Sequence, residues 1–494
     1  MTPHRSLYVR RLGLLWIGFS MACRAPLISM DEAVEIELPA EFSSAQDSKS
    51  EPDALPLGSK PWWTTFRSDS LDATVEATLE GNLELEQAWL RLTQAEATAR
   101  ISGAPRYPTI NLVAGGSRIE IDQSGDPASA IPFRFGETYQ IGPSLSYEVD
   151  LFGRIGALAE GARLGAAATE ADAKAMALTI SGLATDAWLT AVENTELARL
   201  VEDQVATGEQ LLEVTQARFN NGAGSALDVL QQKRLLEATR AETPLIRGEV
   251  ERAEHQLATL RGMAPKSPTQ ALPGALPALP PLPALDVPSA LLANRPDLIA
   301  AFLRVQQSDR DVATAIAARY PRLALTANFN FDANELREIL DRTISTVVGN
   351  LTLPLVDGGS RRGEVARSRA RLLESIHAFS QSFLLALQEV EDSLSLERRG
   401  LERIALFESQ RTFAAQEVEQ ARRRYSGGID SYLGVLAAVQ NLQALDRLMI
   451  GERAAVLRAR AQLLRALGGG WATELQRPES SQESSRRASD QRTP

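Results

Sequence analysis

Residues 218–230 read RFNNGAGSALDVL, and residues 424–436 read RYSGGIDSYLGVL. Phe219 aligns with Tyr425, Gly222 with Gly428 and Ser225 with Ser431, at a shift of 206. Leu227, Val229 and Leu230 align with Leu433, Val435 and Leu436 at the same shift. It continues without a gap to Gly262 and Gly468, and upstream it pairs Asp186 with Asp392 and Gly153 with Gly359. Near the start of each half, Arg106-Tyr107-Pro108 aligns with Arg319-Tyr320-Pro321 at a shift of 213, so the seven-residue difference falls between positions 108 and 145 of the first half. A period this long is no short solenoid repeat. It predicts two copies of one supersecondary unit, an internal two-fold repeat with one loop of different length.

Outward from each motif the pattern is helical. Pro143 and Pro244 bracket about a hundred residues without proline, and Pro354 and Pro478 bracket a similar stretch. Leu372, Ile376, Phe379, Phe383, Ala386 and Val390 alternate spacings of four and three, the seam of helices packed side by side. Residues 155–217 and 361–424 each read as one helix of roughly 90 Å at 1.5 Å per residue. Gly222 and Gly428 suit the left-handed conformation that ends a helix. Second helices follow at 226–262 and 432–468, and shorter ones at 82–104 and 295–317 precede the strand regions. The two shorter helices of each half together nearly equal the long one, which predicts that they stack end to end beside it.

Between Pro108 and Asp150 the period changes to two. Tyr139, Ile141, Pro143, Leu145, Tyr147 and Val149 alternate with polar residues, as do Leu323, Leu325, Ala327, Phe329 and Phe331. Strands are expected at about 109–121, 139–150, 322–331 and 344–355, with turns at 122–138 and around 332–342. Runs of about ten residues with one apolar and one polar face fit transmembrane barrel strands. A soluble two-faced sheet gives the same alternation. Four strands cannot close a barrel, since the smallest have about eight, so a barrel requires several copies of the chain.

Net charge is −11, which argues against nucleic-acid binding. Low aromatic content, 5%, with abundant Ala, Leu, Arg, Glu and Gln suits long helices. His4, Arg5, Arg10 and Arg11 precede a short apolar run, Leu12 to Phe19, and then Ser20-Met21-Ala22-Cys23, a secretory signal over 1–22. Ala22 before Cys23 is the pattern of a lipoprotein cleavage site, with Ser20 departing from the usual Leu. Cys23 is the lipidation candidate (palmitate-type acylation), and 23–60 reads as the tether. The alternative is an ordinary signal with an incidental cysteine. No later segment is expected to reach the ~18 apolar residues of a spanning helix, so a membrane span would have to be made of strands. The remaining divisions are a first repeat at 61–262, a Pro-rich linker at 263–294, a second repeat at 295–470 and a disordered tail at 471–494.

No catalytic constellation is visible. His4, His255 and His377 lie far apart, and no GxSxG, HExxH, CxxC or P-loop pattern occurs. No enzyme activity, cofactor or metal is expected. Trp62 and Trp63 read as packing residues. Arg447, Arg453, Arg458, Arg460 and Arg465 read as a solvated or salt-bridged face, or as a contact for a partner.

Taken in order and twice over, these motifs resemble the TolC/OprM-type outer membrane efflux proteins, particularly the lipoprotein (NodT-like) branch. The two quoted motifs resemble that family's helix–turn–helix tips. LFGR at 151–154 and VDGGSR at 356–361 resemble its strand-to-helix turns, and ANRPDL at 293–298 the start of its second repeat. The resemblance implies an α+β membrane protein: a homotrimeric transmembrane β-barrel with four strands per protomer, continued by a long periplasmic α-helical barrel. It implies residence in the outer membrane lipid, and partnership with a periplasmic adaptor protein and an inner-membrane RND-type pump. It also implies passive conduction of drugs or other small toxic compounds. A lipid-tethered coiled-coil scaffold, and an exit duct for type I protein secretion or metal efflux, are the alternatives.

In the family the narrow end carries aspartates after the second motif, where this chain has Gly434 and Ala437. Asp228 and Asp430 are the nearest carboxylates, and with Arg424 and Tyr425 they are the tip or gate candidates. Each keeps an ordinary alternative: Asp228 as a helix cap, Asp430 as a turn residue, and Arg424 and Tyr425 as an exposed arginine and a packed ring.

Overall fold

The computed structural model describes residues 60–121, 134–267, 272–283, 288–468 and 471–475. Its chain forms two compact units. Among the described residues, one comprises Thr93–Ala168 and Ala301–Phe379, and the other residues 60–92, Thr169–Ala300 and Ser380 onward. Cys23 lies outside the described residues, as do the expected leader, all but Lys60 of the expected tether, and residues 122–133 of the first strand turn.

The first unit is built on strands β1 (Thr109–Ile121), β2 (Arg134–Val149), β3 (Arg322–Ala333) and β4 (Thr343–Thr352), all antiparallel in the order β1-β2-β3-β4. β2 begins five residues before the expected strand. The register aligns Ile110 with Leu145, Leu145 with Ala327 and Ala327 with Val347. It also aligns Leu112 with Pro143, and Leu323 with Val149 and Leu351. Because strand side chains alternate faces, this collects most of the apolar residues of the four strands on one face, while Val113, Ile344 and Val348 lie on the other. The opposite face carries Asn111, Ser144, Asn328 and Thr346 in one row, with Ser144 Oγ donating to Asn328 Oδ1 at 2.6 Å. The apolar face is uncovered: Leu112 is 75% exposed and Val347 80%. Among the described residues, β1 and β4 each have one unpaired edge. Gly142 admits β3, since a Cβ there would lie 2.0 Å from the Phe329 carbonyl oxygen. Where β2 leaves the sheet, Gly153 turns at φ +74° and Asp150 accepts from the N–H groups of Ile155 (3.1 Å) and Gly156 (2.7 Å).

Helices are α1 (Asp69–Gly81), α2 (Leu83–Gly103), α3 (Arg154–Asn220), α4 (Ala226–Leu260), a short α5 (Leu291–Asn294), α6 (Pro296–Ala317), α7 (Ser360–Ser426), α8 (Tyr432–Ala466) and a final turn α9 (Trp471–Glu474). α3 and α7 are both 67 residues long, and α4 and α8 both 35. One 18-residue window of α3 is apolar enough to cross a bilayer by composition, so the exclusion of such segments is too strict; 61% of that window is buried, as in a core helix. The reason is alanine. Ala173, Ala177, Ala184 and Ala187 are buried, and their small side chains let neighbouring helices approach closely.

In the second unit, Trp62, Trp63, Trp89, Trp188 and Trp471 join one core, with the Trp63 and Trp471 rings edge-to-face at 4.9 Å. Trp471 and Ala472 are buried, so the tail cannot begin at 471. Its polar composition hides a buried anchor. The proline-rich segment described over 272–283 is also no free linker. Leu272, Leu276 and Leu279 pack on this core and Leu282 on a second, formed by Leu298, Phe383 and Val390. The Leu276 N–H donates to Glu196 (2.8 Å), and Arg460 donates to the Pro280 carbonyl. Arg460 is 3% exposed and paired with Glu397. The arginine face of α8 points into ion pairs between helices: Arg447 with Glu242 (3.2 Å), Arg453 with Glu196 (3.3 Å) and Arg458 with Asp186 (3.1 Å).

Shorter helices meet head to tail. Asn82 caps α2 by accepting from the Glu84 and Leu85 N–H groups (both 3.0 Å), while its Nδ2 donates to the Leu260 carbonyl at the end of α4 (2.7 Å). The shift of 213 places Arg295 at the corresponding position of the second half. Arg295 donates to the Ala466 carbonyl at the end of α8 (3.1 Å) and pairs with Asp297 and Glu389, both at 2.8 Å. Both joints are tight enough to need glycine. A Cβ on Gly81 would lie 2.4 Å from the Arg261 oxygen, and one on Gly468 2.5 Å from the Asn294 oxygen.

Candidate functional site at the paired helical turns

The two quoted motifs fold alike. In the first, the Gly222 N–H donates to Phe219 O (3.0 Å) and the Ala223 N–H to Arg218 O (2.9 Å). In the second, the Gly428 N–H donates to Tyr425 O (3.0 Å) and the Ile429 N–H to Arg424 O (2.9 Å). Gly222 (φ +72°) and Gly428 (φ +69°) supply the left-handed residue this helix ending requires.

The helices that leave the turns start differently. Ser225 Oγ accepts from the Leu227 N–H (3.1 Å), and Asp228 Oδ2 accepts from the Ser225 N–H (3.2 Å), a capping box on α4. At the matching place α8 has Gly434, which has no carboxylate to offer, and Ser431 makes no side-chain cap bond.

Asp228 also reaches across to the other turn. The Tyr425 hydroxyl donates to Asp228 Oδ2 at 3.2 Å. The Arg218 guanidinium lies 4.6 Å from the Tyr425 ring centroid, and the Tyr432 ring is 5.1 Å away. Tyr432 in turn donates to Gln232 Oε1 (2.6 Å), whose Nε2 donates to the Gly208 carbonyl (2.8 Å). Below this chain, Leu235, Val418, Val435, Leu436 and Val439 form a small core that joins the two hairpins. Burial, and then the charge of Asp228, push the Tyr425 phenol above its ordinary pKa, so it keeps the proton it donates. Arg424 instead grips Asp430 within its own turn, at 2.5 and 3.1 Å. The guanidinium hydrogen bonds hold the Asp430 carboxyl below the usual carboxylate range.

Of the four sequence candidates, the fold therefore joins Asp228 with Tyr425 across the two turns and Arg424 with Asp430 inside one. Arg218, Gln232 and Tyr432 complete the arrangement without having been singled out. The one available signal was a second tyrosine, Tyr432, seven residues after Tyr425 and on the far side of the turn.

The comparisons bear on this arrangement. A sequence profile described as outer membrane efflux protein matches residues 74–263 and 287–469. The chain belongs to that family. It is a transport family, not an enzyme family. The pyoverdine export outer membrane protein OpmQ of Pseudomonas putida is 31% identical over 481 residues, 94% of this chain and 98% of its own. The outer membrane protein OprJ of Pseudomonas aeruginosa is 29% identical, over 83% of this chain and 86% of its own. Among solved structures, the outer-membrane channel OprN has TM-score 0.82 at 27% identity, covering 89% of this chain and 99% of that one. VceC of Vibrio cholerae has TM-score 0.77 at 25% identity, covering 83% and 98%. The family member described here shares their architecture, mostly helical with a small antiparallel sheet.

Proposed function

We propose that this chain is the outer-membrane duct of a tripartite efflux system. Three copies each give four strands to a twelve-stranded barrel, and their helices continue it through the periplasm as a hollow cylinder. An adaptor protein and an RND-type inner-membrane pump engage the far end, and Cys23 carries a lipid anchor. Cargo passes unchanged, as befits a family of efflux proteins.

The observation that carries this reading is the sheet. It has an uncovered apolar face and two unpaired edges, arrangements that water penalises and that a closed barrel in lipid resolves. The strands are 10 to 16 residues long, enough for the ~9–11 residues a tilted spanning strand needs. Gly222 and Gly428 then mark the periplasmic tips, where the tie between Tyr425 and Asp228 is the latch that holds the paired hairpins closed. Drugs and other small toxic compounds are the proposed cargo, in keeping with relatives named for toluene and antibiotic efflux.

Reconstitution in planar bilayers tests the duct. Discrete conductance steps from a detergent-stable trimer are expected; a monomer in detergent with no conductance under any condition would sink the idea. A second cargo reading rests on the relative named for pyoverdine export, which matches over nearly its whole length. A deletion strain separates the two readings. Drug hypersensitivity with normal siderophore secretion favours drugs, and intracellular accumulation of a siderophore favours the second.

A further inference from the structure

Asn221 and Gly222, in the first of the two paired turns, form the one Asn-Gly step in the chain. The matching turn has Gly427 and Gly428 at those places, so the first turn alone carries a side-chain amide there. Asn221, Gly222 and Ala223 are exposed. Asn221 stands one residue past the end of α3, and its side chain has no hydrogen-bond partner among the described residues. Its neighbour Asn220 is held differently. It is the last residue of the helix, its Oδ1 accepts from Gln216 Nε2 (3.3 Å), and a residue with a side chain follows it.

The side-chain carbonyl of asparagine is an electrophile, and the main-chain nitrogen of the next residue is the nucleophile closest to it along the chain. A side chain on that next residue crowds the approach, and glycine has none. Gly222 is needed here for another reason, because the turn requires a left-handed residue, φ +72°. The glycine that ends the helix therefore also leaves its nitrogen unhindered beside an unengaged amide. In the closed turn the Gly222 N–H donates to Phe219 O (3.0 Å) and the Asn221 N–H to Ala217 O (3.1 Å). The other ties are the Ala223 N–H to Arg218 O (2.9 Å) and Arg218 Nη2 to Ala223 O (3.2 Å). None of residues 216–228 is buried, so no packed side chain locks the turn. Exposed backbone bonds at a helix end open locally, without global unfolding.

We infer that Asn221 is a site of spontaneous deamidation, through which the first turn gains a carboxylate that the second cannot. The Gly222 nitrogen bonds to Asn221 Cγ. The bond from Cγ to the side-chain nitrogen breaks, and that nitrogen leaves as ammonia with the Gly222 amide proton. Water then opens the five-membered imide at either carbonyl, giving aspartate, or isoaspartate with one more carbon in the main chain. The isoaspartyl form shifts Gly222 out of register with Phe219 and so loosens the ending of α3, while the ending of α7 is untouched. The inference is independent of what the chain conducts.

Because the closed turn engages the nucleophile, conversion is expected to run up to about tenfold slower than in a free peptide, the worth of one such hydrogen bond. Incubation of the full-length protein in detergent at mildly alkaline pH, then tryptic digestion and fragment mass analysis, tests it. Cleavage after Arg218 and Lys233 releases residues 219–233, and a synthetic peptide of the same residues is incubated alongside. Against an unincubated sample, the protein-derived peptide is expected to gain the mass of amide-to-acid conversion at position 221, as two products of different retention time. Asn221→Gln, which sets the amide one methylene further out, is expected to abolish the gain. No acid at position 221 by the time the synthetic peptide has fully converted overturns the inference. So does conversion of Asn220, Asn294 or Asn334 as fast as Asn221, or an Asn221→Gln protein that gains mass at position 221 like wild type. If Asn221→Gln misfolds, the wild-type protein and the synthetic peptide still decide.

Discussion

Asp228 does two jobs with one carboxylate. It closes the capping box of α4 and accepts the hydroxyl of Tyr425, 197 residues away. Capping was legible in the sequence, because Ser225 and Asp228 stand at the capping-box spacing. The Tyr425 contact was not, because nothing local says which side chains two distant turns bring together. If the tie is the proposed latch, Tyr425→Phe, which removes that bond alone, is expected to cost about 0.5–1.5 kcal/mol, up to roughly tenfold in the closed-to-open ratio. Single-channel open probability measures it. The pH dependence has a definite sign. The raised phenol is stabilising below its unfolded pKa of ~10 and loses this only as pH rises through its still higher folded value. The depressed Asp430 carboxyl is stabilising above ~3.9 and loses this as pH falls through its lower folded value. Open probability should therefore not respond to these two groups between about pH 5 and 9. If the Asp430 pair helps to set conductance, Asp430→Asn at neutral pH should reproduce the effect of strong acid on the wild-type channel. No change in conductance or ion preference would leave Asp430 a turn residue.

At the scale of elements, the repeat made the long and short helices legible, since equal lengths on both sides of each turn follow from an ungapped shift of 206. α1 escaped notice because half of its buried positions are threonines, Thr74 and Thr78, whose hydroxyls are satisfied by the preceding turn of helix. For the α8 arginines the salt-bridged reading holds, but their partners on α3 and α4 lie far away in sequence and could not be named from it. The two head-to-tail joints differ in chemistry, and this makes a prediction. Arg295→Ala leaves Glu389 and the Ala466 carbonyl without their cation and is expected to cost about 1–3 kcal/mol, more than Asn82→Ala. Burial raises the Asp297 carboxyl, but the hydrogen bonds and charge of Arg295 outweigh it and hold the group below its ordinary value. The second joint should therefore weaken as pH falls below ~3.9, while the first should not. Amide hydrogen exchange at 466–468 compared with 260–262, across pH 3 to 6, measures the difference. Trp63→Ala, which empties a fully packed site against Trp471, is expected to lower stability by about 3–5 kcal/mol, read by denaturant unfolding.

At the scale of the whole molecule, alternation gave the strands and their two faces, but not their closure. A soluble sheet and a barrel share that pattern until exposure of the apolar face is known. Val347 projects from the middle of that face on an edge strand. In the barrel reading, Val347→Arg is expected to cost about 2–4 kcal/mol near the bilayer midplane, whereas Thr346→Arg on the polar face should be tolerated. The yield of heat-modifiable trimers in outer-membrane fractions measures both. If the two variants behave alike, the assignment of faces is wrong.

The raw edges of β1 and β4 also set a hazard of biogenesis. In the barrel reading, until other copies arrive the chain carries two free templates for strand pairing beside an apolar surface, the conditions under which proteins polymerise indiscriminately. Synthesis faster than assembly should thus be toxic in proportion to the unassembled pool. Helper proteins that hold nascent strands apart should matter more to this chain than any property of its helices.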